Sequence, residues 1–131
     1  MNSTVELVGL ELACDIGTYT SDDIVPSAHI LDLTLSIKPE LVIIKNDGMS
    51  HVFDYDPLIA KIADLASDGH YETQERLLTR IIHACANQPQ VTTIEAYLRK
   101  KPVTNFGGTL GVRLKVDTED LAEIRKNFFG K

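Results

Sequence analysis

The alternation of residue types between residues 28 and 38 constrains the fold of this chain most strongly. Every second position carries an apolar side chain or a histidine, and the positions between them are mostly polar. The first series is His29, Leu31, Leu33, Leu35 and Ile37, and the second is Ile30, Asp32, Thr34, Ser36 and Lys38. A period of two residues predicts a β-strand with one buried face.

Three further strands and three helices are predicted around this strand. The order is β-β-α-α-β-β followed by a last helix. It predicts an α+β fold, in which two hairpins form one four-stranded antiparallel sheet with two helices on one face. The chain is interpreted as one domain, residues 1–131, with residues 117–131 as a C-terminal helical extension. The predicted strands are 5–14, 28–38, 91–101 and 109–117, and the predicted helices are 56–69, 73–86 and 118–131.

Local signals place the helix ends and the buried faces. Asp56 is predicted as the N-cap of the first helix, Gly69 as its C-terminal stop, and Thr73 as the N-cap of the second helix. The first helix should bury Leu58, Ile59, Ile62, Leu65 and Ala66, and the second Leu77, Leu78, Ile81, Ile82 and Cys85. The fourth strand should bury Leu110, Val112, Leu114 and Val116, and the last helix should dock through Leu121, Ile124 and Phe128.

Composition excludes several classes of function. The net charge of −6 argues against binding of nucleic acid, and no apolar run is long enough to span a membrane. The first ten residues lack the pattern of a secretory signal. Cys14 and Cys85 lie in apolar patterns, as expected of reduced core residues in a cytoplasmic protein. The four histidines lack the spacing of zinc ligands, so no metal site is expected.

Three polar residues are candidates for a functional site, and each has an ordinary structural interpretation. Glu75 in the first turn of a helix either complements the helix dipole or offers two coplanar acceptors to a ligand. Tyr55 is either an amphipathic residue at a helix entrance or part of a pocket. Lys101 is either a solvated strand end or an amine for proton transfer, with Lys100 beside it contributing to a lowered pKa.

Five short motifs together resemble the pattern of one protein family by their order, although none of them is specific alone. They are "VGLELACDIGTY", "DY" before the first helix, "QERL" opening the second, "KKP" ending the third strand and "LGVRL" in the fourth. In this register, over about residues 4–116, the chain resembles the dihydroneopterin aldolase family.

The resemblance implies a tunnelling fold, in which four subunits join their sheets into a barrel and two such rings stack into an octamer. Such an assembly would also cover the open edges of a small sheet. It further implies an enzyme of folate biosynthesis that cleaves 7,8-dihydroneopterin by a retro-aldol reaction. The implied products are 6-hydroxymethyl-7,8-dihydropterin and glycolaldehyde, and neither a metal, a Schiff base nor another cofactor is expected.

The resemblance also implies roles for individual residues. Lys101 aligns with the lysine of acid/base transfer. Tyr55 aligns with a tyrosine, donated by the neighbouring subunit, that shuttles a proton and contacts the side-chain hydroxyls of the substrate. Glu75 aligns with the carboxylate that binds the pterin amino group and ring N–H. Asp22, one methylene shorter, replaces the glutamate usual in the first hairpin connection, which lies near the substrate side chain and the lysine, and it is counted with Lys101 and Tyr55 as catalytic. Gln74 replaces a leucine, which makes this pocket edge more polar, and Gln74 and Thr73 are counted with Glu75 as substrate-binding residues.

Two alternatives stay open at the level of sequence. One is a dihydroneopterin or dihydroneopterin-triphosphate epimerase of the same family, although the retained "KKP" motif favours the aldolase. The other is a non-catalytic pterin-binding member, which would be expected to lack one of the three chemical residues.

Overall fold

A computed structural model describes residues 1–128 of the chain. Nine helices and strands make up this part of the chain, together with two short 3₁₀ turns at Pro39–Leu41 and Met49–His51. The elements are β1 (Ser3–Glu11), β2 (Asp15–Ile16), β3 (Ala28–Ile37), α1 (Asp56–Ser67), β4 (His70–Tyr71), α2 (Gln74–Ala86), β5 (Val91–Lys101), β6 (Leu110–Val116) and α3 (Thr118–Phe128).

The main sheet has the predicted architecture. Its strand order is β1-β3-β5-β6, and every neighbouring pair is antiparallel. The pairing of β1 with β3 shifts register between Leu7 and Leu10, where Gly9 adopts a φ of 72°. That positive φ is readily adopted only by glycine and is typical of a bulge. The α+β fold class with a four-stranded antiparallel sheet and a C-terminal helix is confirmed.

The hydrophobic core lies between this sheet and the helices. The alternating series of β3 is buried as predicted, and α2 packs chiefly on β5. The central strands bury Leu31, Leu33, Leu35, Ile94, Ala96 and Leu98, and the helices bury Leu58, Ile62, Leu77, Ile81 and Cys85. Of the ten residues predicted to form the buried faces of α1 and α2, only Ile59 is half-buried and not buried. The shared face of β3 and β5 therefore points towards the helices.

The two helix starts differ in how well the sequence predicts them. Thr73 caps α2 as expected, because its Oγ1 accepts a hydrogen bond from the Arg76 N–H at 3.2 Å. The prediction of Asp56 as N-cap of α1 is wrong, since Tyr55 holds that position and Asp56 is already helical. Asp54 accepts the Asp56 N–H at 3.2 Å, so the acceptor comes from two residues before the helix.

The burial predicted for β6 is partly wrong. Val116 is buried and Val112 half-buried, but Leu110 and Leu114 are 57% and 46% exposed. β6 is an edge strand, and the helices cover it only in part. The other edge strand, β1, exposes Val8 on its surface. Both edges of the sheet thus present apolar side chains.

The first hairpin connection contains a pairing that the sequence did not predict. Asp15 and Ile16 of β2 pair in parallel with His70 and Tyr71 of β4, which links this connection to the turn between the helices. The Asp15 carboxylate lies 3.0 Å from His70 Nδ1. Each strand has only two residues, too few for a recognisable alternation.

The last helix docks against the core through two of its three predicted residues. Leu121 is buried and Ile124 half-buried, whereas Phe128 is 60% exposed and touches the His83 ring. Arg125 also fixes α3, because its guanidinium donates hydrogen bonds to the carbonyls of Ala86, Gln88 and Val91. The end of this predicted helix, residues 129–131, lies outside the described residues.

Candidate active site

The start of α2 lies over the end of the β5–β6 hairpin. Gln74 Nε2 donates a hydrogen bond of 3.4 Å to the carbonyl of Leu110. Leu110 is the cross-strand neighbour of Lys100, and Lys100 is in turn opposite His29 of β3. The first turn of α2 and the ends of three strands therefore meet at one corner of the helix side of the sheet, which we call the polar corner.

Two polar atoms at the polar corner are buried without a hydrogen-bond partner in residues 1–128. They are Oε1 of Gln74 and Nε2 of His29, and each residue is only 8% exposed. Buried polar groups are nearly always paired in folded proteins, because an unpaired group loses its hydration without compensation. Two unpaired atoms at one corner are therefore a signal for a missing polar ligand.

Glu75 is exposed in the first turn of α2, next to Gln74. Its carboxylate makes no hydrogen bond or ion pair within residues 1–128, so both oxygens are open to a ligand. The N-terminal end of a helix also favours a negative charge. Thr73, by contrast, uses its hydroxyl to cap the helix.

Lys101 ends β5 at the same end of the sheet and is exposed. Its carbonyl accepts hydrogen bonds from the N–H and Oγ of Ser27, at 2.9 and 3.3 Å. Ser27 closes the first hairpin connection, which also carries Asp22 on an exposed turn held by a Thr20–Asp23 hydrogen bond. The structure thus brings the start of α2, Lys101 and the segment carrying Asp22 to one end of the sheet.

A cavity of about 300 Å³ opens between that connection and β3. Cys14, Tyr19 and His29 are among its lining residues, and the Lys100 amine lies 6.0 Å from the centre of the Tyr19 ring. Burial and the nearby charge of Lys100 lower the pKa of His29, so its imidazole is neutral at neutral pH. Burial, together with the charge of Asp15, raises the pKa of the Cys14 thiol to about 11 and keeps it protonated.

Tyr55 is not part of the polar corner. It is 48% exposed and lines a cavity of about 270 Å³ together with Val5 and Leu35. Lys101 pairs with Ala28 at the start of β3, whereas the cavity lined by Tyr55 includes Leu35, near the end of that strand. From Ala28 to Leu35 the strand spans roughly 24 Å, at about 3.4 Å per residue. Within one chain, Tyr55 and Lys101 therefore lie towards opposite ends of the sheet.

The described part of the chain offers no obvious metal site. Within residues 1–128, no three His, Cys, Asp or Glu side chains form a group that could hold a metal ion. No helix in the same range is long and apolar enough to cross a membrane.

Sequence reasoning did not single out His29 and Tyr19. The signal for His29 was present, because this histidine belongs to the alternating series of β3 that faces the core, among leucines and an isoleucine. Tyr19 carried no comparable signal, because it lies in an irregular connection whose path depends on the β2–β4 pairing.

The fold and the polar corner define a small α+β protein in which a helix start and the ends of sheet strands form a candidate ligand site. Residues 5–115 match the family model described as dihydroneopterin aldolase. The chain belongs to the dihydroneopterin aldolase family. No curated protein matches it in sequence.

Solved structures agree with this fold. A dihydroneopterin aldolase from Burkholderia thailendensis, bound to guanine, is 19% identical with a TM-score of 0.73, over 87% of this chain and 89% of that chain. The E. coli dihydroneopterin aldolase in complex with neopterin is 13% identical with a TM-score of 0.73, over 86% of this chain and 97% of that chain. At these identities the likeness shows a shared fold.

Proposed function

We propose that this chain is a dihydroneopterin aldolase, an aldehyde-lyase of folate biosynthesis. It would cleave 7,8-dihydroneopterin into 6-hydroxymethyl-7,8-dihydropterin and glycolaldehyde. Membership of the family over residues 5–115 supports the reaction class. The observation that carries the proposal is the start of α2, where the open carboxylate of Glu75 follows the buried, unpaired acceptor of Gln74.

These two side chains suit the edge of a pterin ring. The 2-amino-pyrimidinone part of a pterin presents an amino group and a ring N–H side by side, and a carboxylate can accept both. Gln74 Oε1 offers a further acceptor for a polar group of the ligand. Guanine and neopterin, bound by the two related proteins above, both contain this amino-pyrimidinone edge.

The reaction needs proton transfer and an electron sink. A base takes the proton of a side-chain hydroxyl, the C–C bond breaks, and its electron pair enters the conjugated C=N bond of the ring. The carbon left on the ring is then protonated, so no net proton is gained or lost. On this proposal the protein uses neither a metal nor a Schiff base, and the resemblance gives the proton transfer to Lys101 with Asp22 nearby.

The site would be shared between protomers. Tyr55 lies towards the opposite end of the sheet from Lys101 in one chain, so a second copy must supply it if the three residues meet. The apolar side chains on both edge strands, Val8 on one and Leu110 and Leu114 on the other, support association through the edges. We propose a homo-oligomer, an octamer of two stacked tetrameric rings, acting in the cytoplasm.

The decisive experiment incubates the purified protein with 7,8-dihydroneopterin and separates the pterins by chromatography, with a parallel assay for glycolaldehyde. Equal amounts of 6-hydroxymethyl-7,8-dihydropterin and glycolaldehyde are expected. A diastereomer of the substrate without glycolaldehyde would identify an epimerase instead. Saturable binding of neopterin with neither product would identify a pterin-binding protein, and would overturn the proposal.

A further inference from the structure

Two lysines end β5, and their side chains leave the strand on opposite faces. Ile94, Ala96 and Leu98 are buried beneath the helices, and Lys100 is the next residue of that series. Because side chains alternate along a strand, Lys100 belongs to the helix side and Lys101 to the other side. Their burial agrees, since Lys100 is half-buried and Lys101 exposed.

The neighbours of Lys100 are the residues of the polar corner. It is opposite His29 on β3 and opposite Leu110 on β6, whose carbonyl binds Gln74. Its ammonium lies 6.0 Å from the centre of the Tyr19 ring, within the range of a cation–π contact. Lys101 instead pairs with Ala28 on the strand face that points away from α2.

The unpaired buried atoms lie on the same side as Lys100. His29 Nε2 and Gln74 Oε1 both lack partners in residues 1–128, and both residues share the helix side of the sheet end with Lys100. No corresponding buried polar atom within that range stands unpaired beside Lys101. The signal for a missing ligand is therefore on the Lys100 side of the strand.

We propose that Lys100, rather than Lys101, supplies the amine of this site. The inference rests on the proposed function and changes which lysine performs the proton transfer. In this step the Lys100 amine accepts the proton of the substrate hydroxyl while the C–C bond breaks and its electrons enter the ring. The resulting ammonium returns the proton to the carbon left on the ring, so atoms and charge balance.

Matched substitutions separate the two lysines. Lys100→Met and Lys101→Met each keep most of the aliphatic stem and remove the amine. We expect Lys100→Met to lower kcat by about 10² to 10⁴, the usual worth of a general acid/base, and to lower it at least about tenfold more than Lys101→Met. Lys100→Arg places at this position a cation that cannot act as a base at neutral pH, so it should bind neopterin and remain as slow as Lys100→Met.

A second measurement does not depend on turnover. Reductive methylation of lysines in the wild-type protein, followed by mass spectrometry of peptides, reports which amine a ligand covers. Saturating neopterin should protect Lys100 several-fold and leave Lys101 reactive. Circular dichroism and neopterin binding of each variant show whether a loss of rate comes from misfolding.

The outcomes distinguish the two proposals. Turnover by the wild type that survives Lys100→Met and is lost in Lys101→Met would overturn this assignment and leave the proposed function intact, as would protection of Lys101 alone. Absence of both turnover and protection in the wild type would overturn the proposed function and this assignment together.

Discussion

Asp32 and Arg99 form an ion pair across β3 and β5, with 2.8 Å between Oδ2 and Nη1, on the sheet face that points away from the helices. The other oxygen of Asp32 accepts the N–H of Gly9 at the β1 bulge, at 2.7 Å. Arg99 and Arg113 also stack on the Tyr97 ring, at 5.1 and 4.3 Å from its centre. One carboxylate thus joins three strands and fixes the position of the bulge.

Replacing Asp32 by asparagine should destabilise the fold in a pH-dependent way. Burial alone would raise the pKa of Asp32, but the Gly9 N–H and the Arg99 guanidinium outweigh it, and the pKa is lowered from 3.8. A carboxyl group whose pKa is lower in the folded chain than in the unfolded chain stabilises the fold at pH values above the unfolded pKa. This stabilisation is lost as the pH falls through the folded pKa. Urea unfolding at pH 7 should therefore show a loss of about 1–3 kcal/mol in Asp32→Asn.

The difference between Asp32→Asn and the wild type should shrink as the pH falls below 3.8. Asp47→Asn is the matched control, because Asp47 is exposed and makes no hydrogen bond or ion pair within residues 1–128. A difference that stays constant from pH 7 to pH 3 would contradict the account.

Gly111 allows β6 to lie close to β5. A Cβ at this position would stand 2.6 Å from Arg99 Cβ and 2.8 Å from Arg99 Cα, so the two strands would have to separate. We expect Gly111→Ala to cost about 1–3 kcal/mol in the free energy of unfolding, as overpacking usually does. Gly48→Ala is the control, since its nearest new neighbour is an ordinary contact of 3.5 Å. Equal thermal stability of the two variants would be evidence against this close approach.

Glu75 should determine affinity for the amino-pyrimidinone edge. Glu75→Gln removes the charge and replaces one acceptor by a donor, so we expect a loss of about 1.5–3 kcal/mol, or roughly 10- to 150-fold in Kd. Glu72→Gln is the matched control, because Glu72 is an exposed acid just before the Thr73 cap. Isothermal titration with guanine or neopterin measures both. Equal affinities in the two variants would remove Glu75 from the site.

Tyr55 provides a test of a site shared between protomers. Tyr55→Phe removes the proposed proton shuttle and Glu75→Ala weakens pterin binding, so each should be nearly inactive alone at a substrate concentration well below the Kd of Glu75→Ala. If each site takes Tyr55 from one copy and Glu75 from another, random mixed oligomers contain intact sites, about one quarter of the total in an equal mixture. Unfolding and refolding the variants together should thus restore about a quarter of wild-type turnover. No recovery in oligomers of confirmed mixed composition would show that both residues act within one chain.

Much of the fold could be predicted because its signals are periodic and local. The alternation in β3 indicates a strand buried on one face, and the Thr73 cap marks the start of α2. The exposure of Leu110 and Leu114 could not be predicted in the same way, because it depends on how far the helices extend over an edge strand. Burial at an edge is set by tertiary packing, and hydrophobic alternation alone does not reveal it.

The candidate site was only partly predictable for a related reason. Glu75 and Lys101 could be singled out as charged residues at the ends of a helix and a strand. The choice between Lys100 and Lys101, however, depends on which face of the sheet each side chain occupies and on the cross-strand partner His29. The β2–β4 pairing that shapes the neighbouring connection spans distant residues and leaves no local pattern.

The position of Tyr55, roughly 24 Å of strand away from Lys101, has a consequence for how cellular abundance would control the proposed activity. If every working pocket is built at a junction between protomers, dilution below the dissociation constant of the assembly abolishes turnover. Total turnover would then rise more steeply than in proportion to the amount of protein made. A small molecule that binds at the junction and separates the protomers would inhibit turnover without resembling a pterin.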